Sequence, residues 1–144
     1  MRLSDIDLQC EDIMWFATDC KGNIFECTSA GCGNVPEYVC RSREETDALI
    51  EYFMEKAPII TTSRLLIPSK NNDLVNDAKN LASKGLYCFD ITDYDNDDKY
   101  NCIAIPDKAL NISELPDDIQ KMLSDHIYNG TVSEKHSITV DHAY

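Results

Sequence analysis

Short runs of apolar residues alternate with polar turns along this chain and predict two β-hairpins. Residues 13–19 (IMWFATD) and 24–29 (IFECTS) are rich in aromatic and β-branched side chains, and residues 20–23 (CKGN) between them supply a turn. Residues 86–91 (LYCFDI) and 100–105 (YNCIAI) have the same character and flank an acidic connection. The aromatic content of the first strand favours a core position for its tryptophan.

Three other segments have apolar residues at helical spacing. The first begins at Ser42, whose hydroxyl can accept a hydrogen bond from the third helical amide. The second follows Asn71 or Asn72 and ends at Gly85, a residue suited to the end of a helix. The third has Pro116 in its first turn, where a missing amide is tolerated. Its buried face is expected to comprise Ile119, Met122, Leu123 and Ile127.

These elements follow one another in the order β-β-α-α-β-β-α, and the polar tail, residues 131–144, could add an edge strand. Two hairpins predict an antiparallel or mixed sheet, with about three helices packed against one face. We therefore expect an α+β fold. No linker or repeat divides the 144 residues, which predicts one domain over residues 1–144.

The net charge of the chain limits the kinds of molecule that it can bind. The 26 acidic and 13 basic residues give a formal net charge of −13. Nucleic acid and anionic membranes are poor partners for such a chain, because binding them requires lysine and arginine. A basic protein is a better partner, since complementary charge accelerates encounter. No apolar run reaches membrane-spanning length and no export signal is recognisable, so we expect a cytoplasmic protein.

The densest acidic cluster lies between the two strands of the second hairpin. It comprises Asp90, Asp93, Asp95, Asp97 and Asp98. Residues 93–97 begin like a calcium-binding EF-hand loop, but Asp98 stands where that loop needs glycine and Ala104 where it needs glutamate. We interpret the cluster as a partner-binding surface, with Asp117 and Asp118 as a second acidic candidate. The structural alternative is a solvated turn.

The cysteines and histidines give little support for metal or catalytic chemistry. The seven cysteines are an odd number without the close pairs of a zinc site, so we expect reduced thiols, no metal and no cofactor. Cys32, between two glycines, is the best candidate nucleophile. No local motif connects it to His126, His136 or His142, so a glycine-rich turn with an incidental thiol is the simpler interpretation.

Several of these segments resemble the immunity proteins of bacterial polymorphic-toxin and contact-dependent growth inhibition systems. The resemblance is carried by residues 12–19 (DIMWFATD), 22–24 (GNI) and 33–37 (GNVPE) in the first half. Residues 100–110 and 115–119 (LPDDI) carry it in the second half. It covers about half of the chain, and its motifs are structural rather than catalytic.

The resemblance implies a protein that binds and neutralises a cognate toxin domain and is not itself an enzyme. Many toxins of these systems act on nucleic acids and have basic clefts, which an acidic inhibitor would complement. The alternative hypothesis is a small cytosolic thiol enzyme, a hydrolase or transferase, that uses Cys32.

Overall fold

The computed structural model describes residues 1–69, 72–91, 98–133 and 135–144. The first hairpin consists of β1 (Met14–Thr18) and β2 (Ile24–Thr28), which pair antiparallel as predicted. The second consists of β4 (Tyr87–Asp90) and β5 (Lys99–Pro106), also antiparallel. The two hairpins join through β2 and β4, which run parallel, so the sheet is mixed.

Two short strands complete the sheet. β3 (Ser63–Leu65) and β6 (Ser137–Thr139) both pair antiparallel with β5, β3 near the end of β5 and β6 near its beginning. The strand order is β1-β2-β4-β5-β3, with β6 beside β5. The edge strand predicted for the polar tail is therefore confirmed.

Three longer helical elements cover one face of the sheet, as the sequence predicts. α3 (Arg43–Glu51) begins after Ser42 and continues into a π-helical turn, Tyr52–Lys56. α4 (Asp73–Ser83) is capped by Asn72, and α5 (Asp117–Leu123) follows Pro116. Together they bury Leu49, Phe53, Ala78, Leu81, Ala82, Ile119 and Leu123 against Phe16, Ile24, Cys88 and Ile103 of the strands.

The opposite face of the sheet is covered as well, by elements that the sequence did not reveal. α1 (Asp5–Cys10) and α2 (Glu37–Cys40) are too short to show an apolar period. They contribute Leu8, Val39 and Cys40 to a second core. Trp15 lies at the centre of that core with no exposed surface, which confirms the core position expected for it.

The predicted third helix is shorter than its apolar pattern suggested. α5 ends at Leu123, and Pro116 is its N-cap rather than a member of its first turn. Ile127, assigned to the buried face, is 44% exposed. It belongs instead to a segment that lies beside β1, where Thr18 accepts a hydrogen bond from the Tyr128 amide. A single 3₁₀ turn, Ile112–Glu114, precedes the helix.

All seven cysteines are reduced, as expected. Within the described ranges, no helix combines the length and the apolar character needed to cross a bilayer.

Asp19 connects the first hairpin to the C-terminal segment. It is 3% exposed, and its carboxylate accepts hydrogen bonds from the amides of Lys21, Asn23 and Val132 and from the Asn23 side chain, at 2.9–3.1 Å. A single side chain therefore closes the turn and fixes a segment 113 residues away.

We expect Asp19→Ala to lower the free energy of unfolding by about 2–4 kcal/mol, because it leaves buried amides without an acceptor. Thermal and urea unfolding would measure the loss. Asp19→Asn retains one acceptor oxygen and should cost less. Equal stability of Asp19→Ala and the unmodified protein would contradict this role.

Candidate functional site

The acidic residues predicted to bind a partner have different environments in the structure. Asp98 is exposed immediately before β5, and Asp117 and Asp118 are exposed in the first turn of α5. Asp90 is 7% exposed at the end of β4, so it does not contribute to an exposed acidic surface. Asp93, Asp95 and Asp97 lie outside the described residues.

The exposed candidates do not form one patch. β5 runs antiparallel to β4, which is parallel to β2, so Asp98 lies at the end of the sheet where β2 ends. Asn111, shortly before α5, pairs with Asn23 at the opposite end, where β2 begins. The eight residues of β5 separate these ends by about 26 Å. Asp117 follows the Asn111 loop, so it belongs to a different surface from Asp98.

A second group of acidic residues gathers at the Asp98 end of the sheet. A cavity of about 270 Å³ opens there between β2, α4 and the segment before β1. Four acidic side chains line it, those of Asp12, Glu26, Asp73 and Asp77. We call this cavity, with its four acidic side chains, the acidic crevice. Asp90 pairs with Thr28 of β2 beside it.

Glu26 is the most unusual member of the acidic crevice because it is a carboxyl group inside the core. It lies in the interior strand β2 with only 3% of its surface exposed. Thr28 donates a hydrogen bond to its Oε1 at 2.5 Å. Burial raises the pKa of Glu26 to about 8, and the nearby charge of Asp90 adds to the effect. The side chain is therefore largely protonated at neutral pH.

The pKa values of two neighbouring carboxyl groups are raised as well. Burial raises the pKa of Asp90 to about 6, with a further contribution from the charge of Asp12. The pKa of Asp77 is also raised, by burial and by Asp73. The negative charges of these neighbouring carboxylates therefore repel one another. In the parts of the chain that the structure describes, no basic side chain forms an ion pair with any of these five acids.

The arrangement favours a compact cationic group that enters the cavity. Arginine and lysine side chains have this chemistry, and both form strong hydrogen bonds to carboxylates. The described residues hold no group of three histidine, cysteine, aspartate or glutamate side chains positioned to ligate a metal ion.

Sequence reasoning missed the acidic crevice because its members come from three separate segments. Asp12 precedes β1, Glu26 lies in β2, and Asp73 and Asp77 lie one turn apart on α4. One signal was available, namely a glutamate within the apolar run IFECTS. A charged residue in a central strand is seldom buried without a partner or a function.

Cys32 also lies in a cavity, of about 310 Å³, on the opposite side of the molecule from α4. The chain turns sharply before it, with left-handed backbone at Ala30 (φ 55°) and Gly31 (φ 74°). His142 lines the same cavity, and its Nε2 lies 3.6 Å from Oδ1 of Asp5. A thiol and a histidine that no local motif connects therefore line one cavity.

The other two histidines are placed differently. His126 is 2% exposed, and its Nδ1 lies 3.0 Å from the carbonyl oxygen of Phe16. His136 accepts a hydrogen bond from Cys102 through its backbone.

Comparisons of the chain with protein-family models, with curated proteins and with solved structures found no match.

The raised pKa of Glu26 predicts a pH-dependent stability. The folded protein retains a proton that the unfolded chain releases above about pH 4.5, so stability falls as the pH rises towards about 8. Glu26→Gln keeps the neutral shape and removes this loss. We expect it to leave the melting temperature near pH 5 almost unchanged and to raise stability at pH 9 by on the order of 3 kcal/mol.

Melting temperatures measured between pH 5 and pH 9 would check this expectation. A smaller slope below about pH 6 should remain in Glu26→Gln, because Asp90 titrates in the same direction. Glu45→Gln, at an exposed position of α3, is the matched control. Parallel profiles for Glu26→Gln and the unmodified protein would refute a protonated Glu26.

Proposed function

We propose that this protein is an immunity protein that binds and neutralises a basic toxin domain, with the acidic crevice receiving a lysine or arginine side chain. The observation that carries the proposal is the convergence of Asp12, Glu26, Asp73 and Asp77 on one cavity without a basic partner among the described residues. The net charge of −13 and the resemblance of the sequence agree with it.

The electrostatics of the acidic crevice explain why a cationic partner would be stabilising. Bringing like charges together costs free energy, and proteins retain such an arrangement where another molecule relieves it. A guanidinium or ammonium group would lower the repulsion between Asp12, Asp73 and Asp77. It would also favour ionisation of Glu26, so binding would release a proton near neutral pH.

The wider acidic surface would act on the rate of association. A net charge of −13 attracts a basic domain from a distance, and the effect is screened by salt. Asp98 is exposed at the same end of the sheet as the acidic crevice and would extend this surface. Asp117 and Asp118 lie towards the other end, so they would contribute to steering rather than to the central contact.

Neutralising the exposed carboxylates of the acidic crevice tests this proposal. The double variant Asp12→Asn/Asp73→Asn removes two charges at residues that already face solvent. With the product of the adjacent reading frame tested as the toxin domain, we expect the association rate to fall by roughly tenfold at low salt, with a weaker salt dependence. Surface plasmon resonance at several salt concentrations would measure both quantities.

A matched control separates local from total charge. Glu45→Gln/Glu51→Gln removes the same number of charges from exposed positions of α3. An equal loss in this variant would mean that only total charge matters and would overturn the crevice assignment. Failure of the unmodified protein to protect cells that express the toxin domain would instead overturn the immunity function.

The cavity shared by Cys32 and His142 favours a second candidate function, a thiol-dependent hydrolase or transferase. In that chemistry His142 accepts the thiol proton and the thiolate forms a bond to an electrophilic carbon, while the leaving group departs with its electron pair. Asp5, 3.6 Å from His142 Nε2, would orient the ring.

Alkylation by iodoacetamide distinguishes this second candidate from an incidental thiol. We expect Cys32 to react at least tenfold faster at pH 7 than the exposed Cys10 and Cys20, because only an activated thiol is largely ionised there. Peptide mass spectrometry would give the three rates. His142→Asn should remove the difference. Similar rates at all three cysteines in the unmodified protein would refute the thiol enzyme.

A further inference from the structure

A cavity of about 470 Å³ lies at the opposite end of the sheet from the acidic crevice. It is bounded by the π-helical turn, the segment before β3, the end of α4 and the loop that follows β5. Its apolar walls comprise Ala57, Pro58, Ile60, Leu110, Leu115 and Pro116. Tyr52, Lys84, Lys108 and Glu114 supply its polar groups. We call it the Lys84 cavity.

Backbone hydrogen bonds hold the walls of this cavity in place. Leu110 donates its amide to the carbonyl of Gly85 at 2.9 Å, and Ile60 donates to the carbonyl of Ser83 at 2.9 Å. Gly85 has φ 96°, and a Cβ there would lie 2.6 Å from the Leu110 Cβ. The loop after β5 therefore packs directly on the end of α4, and the cavity is preformed.

Lys84 is a buried cation in the wall of this cavity. The residue is only 5% exposed, and its Nζ donates to the carbonyl oxygens of Phe53 at 2.6 Å and Met54 at 3.0 Å. These carbonyls belong to the π-helical turn and have no donor within it, because the helix ends at Lys56. Burial lowers the pKa of Lys84, and the charge of Glu55 opposes that shift.

The two carbonyl groups satisfy hydrogen bonds of Lys84 but do not neutralise it. An ammonium group has three donors, so one remains, and a helix C-terminus supplies only about half a negative charge. Among the described residues no carboxylate forms an ion pair with Lys84. Lys108, exposed at the rim, adds a second positive charge.

We propose that the Lys84 cavity binds a small organic acid whose anionic head pairs with Lys84 and Lys108 and whose apolar body lies on Ile60, Leu110 and Leu115. A buried ammonium that forms no ion pair with a described carboxylate gains most from an anion that is itself shielded from water. The apolar walls require that the rest of the ligand be hydrocarbon. The proposal is independent of toxin binding.

A pair of fluorescent probes tests this site. 8-Anilinonaphthalene-1-sulfonate has an anionic head on an aromatic body, and N-phenyl-1-naphthylamine has the same body without the head. The net charge of −13 disfavours unspecific binding of the anion, so saturable binding is informative. We expect the sulfonate to bind at one site per chain and at least fivefold more tightly than the neutral probe.

Three variants complete the test. Lys84→Met and Lys108→Gln should each weaken sulfonate binding at least fivefold and leave the neutral probe unaffected. Lys108→Gln also preserves the hydrogen bonds of Lys84 to the π-helical turn, so it decides the matter if Lys84→Met does not fold. Lys79→Gln, an exposed position of α4 away from the cavity, should bind like the unmodified protein.

Two results would overturn the proposal. One is the absence of saturable sulfonate binding to the unmodified protein. The other is unchanged sulfonate affinity in Lys108→Gln together with unchanged affinity in every folded Lys84 variant.

Discussion

The parallel pairing of β2 with β4 is the constraint on which the rest of the structure depends. Two parallel strands cannot be joined by a tight turn, so the chain between Thr28 and Tyr87 must return along the length of the sheet. That return contains α2, α3, the π-helical turn, β3 and α4. Its later part, α3, the π-helical turn and α4, covers one face of the sheet, with Ala78 and Leu81 of α4 in the same core as Ile24 of β2. Both candidate sites beside α4 follow from this path.

The course of the chain between β2 and β4 also determines where the acidic and basic side chains lie. α4 runs antiparallel to β2 and β4, so its first two turns, with Asp73 and Asp77, lie where these strands end at Thr28 and Asp90. Glu26 points to the face that α4 covers, because side chains alternate along a strand and Phe25 and Cys27 belong to the other core. The last residues of α4 lead to Lys84 at the opposite end. Separate acidic and basic environments therefore result from one helix and one strand pairing.

The local elements of the fold could be predicted from the sequence, whereas their assembly could not. The turn at residues 20–23 and the caps at Ser42 and Asn72 are specified by neighbouring residues. α1 and α2, with 6 and 4 residues, are stabilised by tertiary contacts and have no period to detect. Ile127 was misassigned because its helical spacing continues past the point where α5 ends.

The candidate sites were harder to predict for a related reason. The sequence shows that acidic residues are clustered around Asp98. Which acidic residues lie close together in the folded protein depends on which strands pair. Asp12 and Asp77 are 65 positions apart and line one cavity. Cys32 and His142, 110 positions apart, line another. Only the assembled sheet brings such residues together.

The two proposed binding sites lie at opposite ends of α4 and would take ligands of opposite charge. Its 11 residues span about 16 Å, a distance over which exposed charges are largely screened at physiological salt. A direct electrostatic effect of one ligand on the other is therefore small. Any coupling between them must arise from displacement of α4 itself, which Val75, Ala78 and Leu81 hold against the sheet. Close packing of these small and branched side chains resists such a displacement, so the two sites should bind their ligands independently.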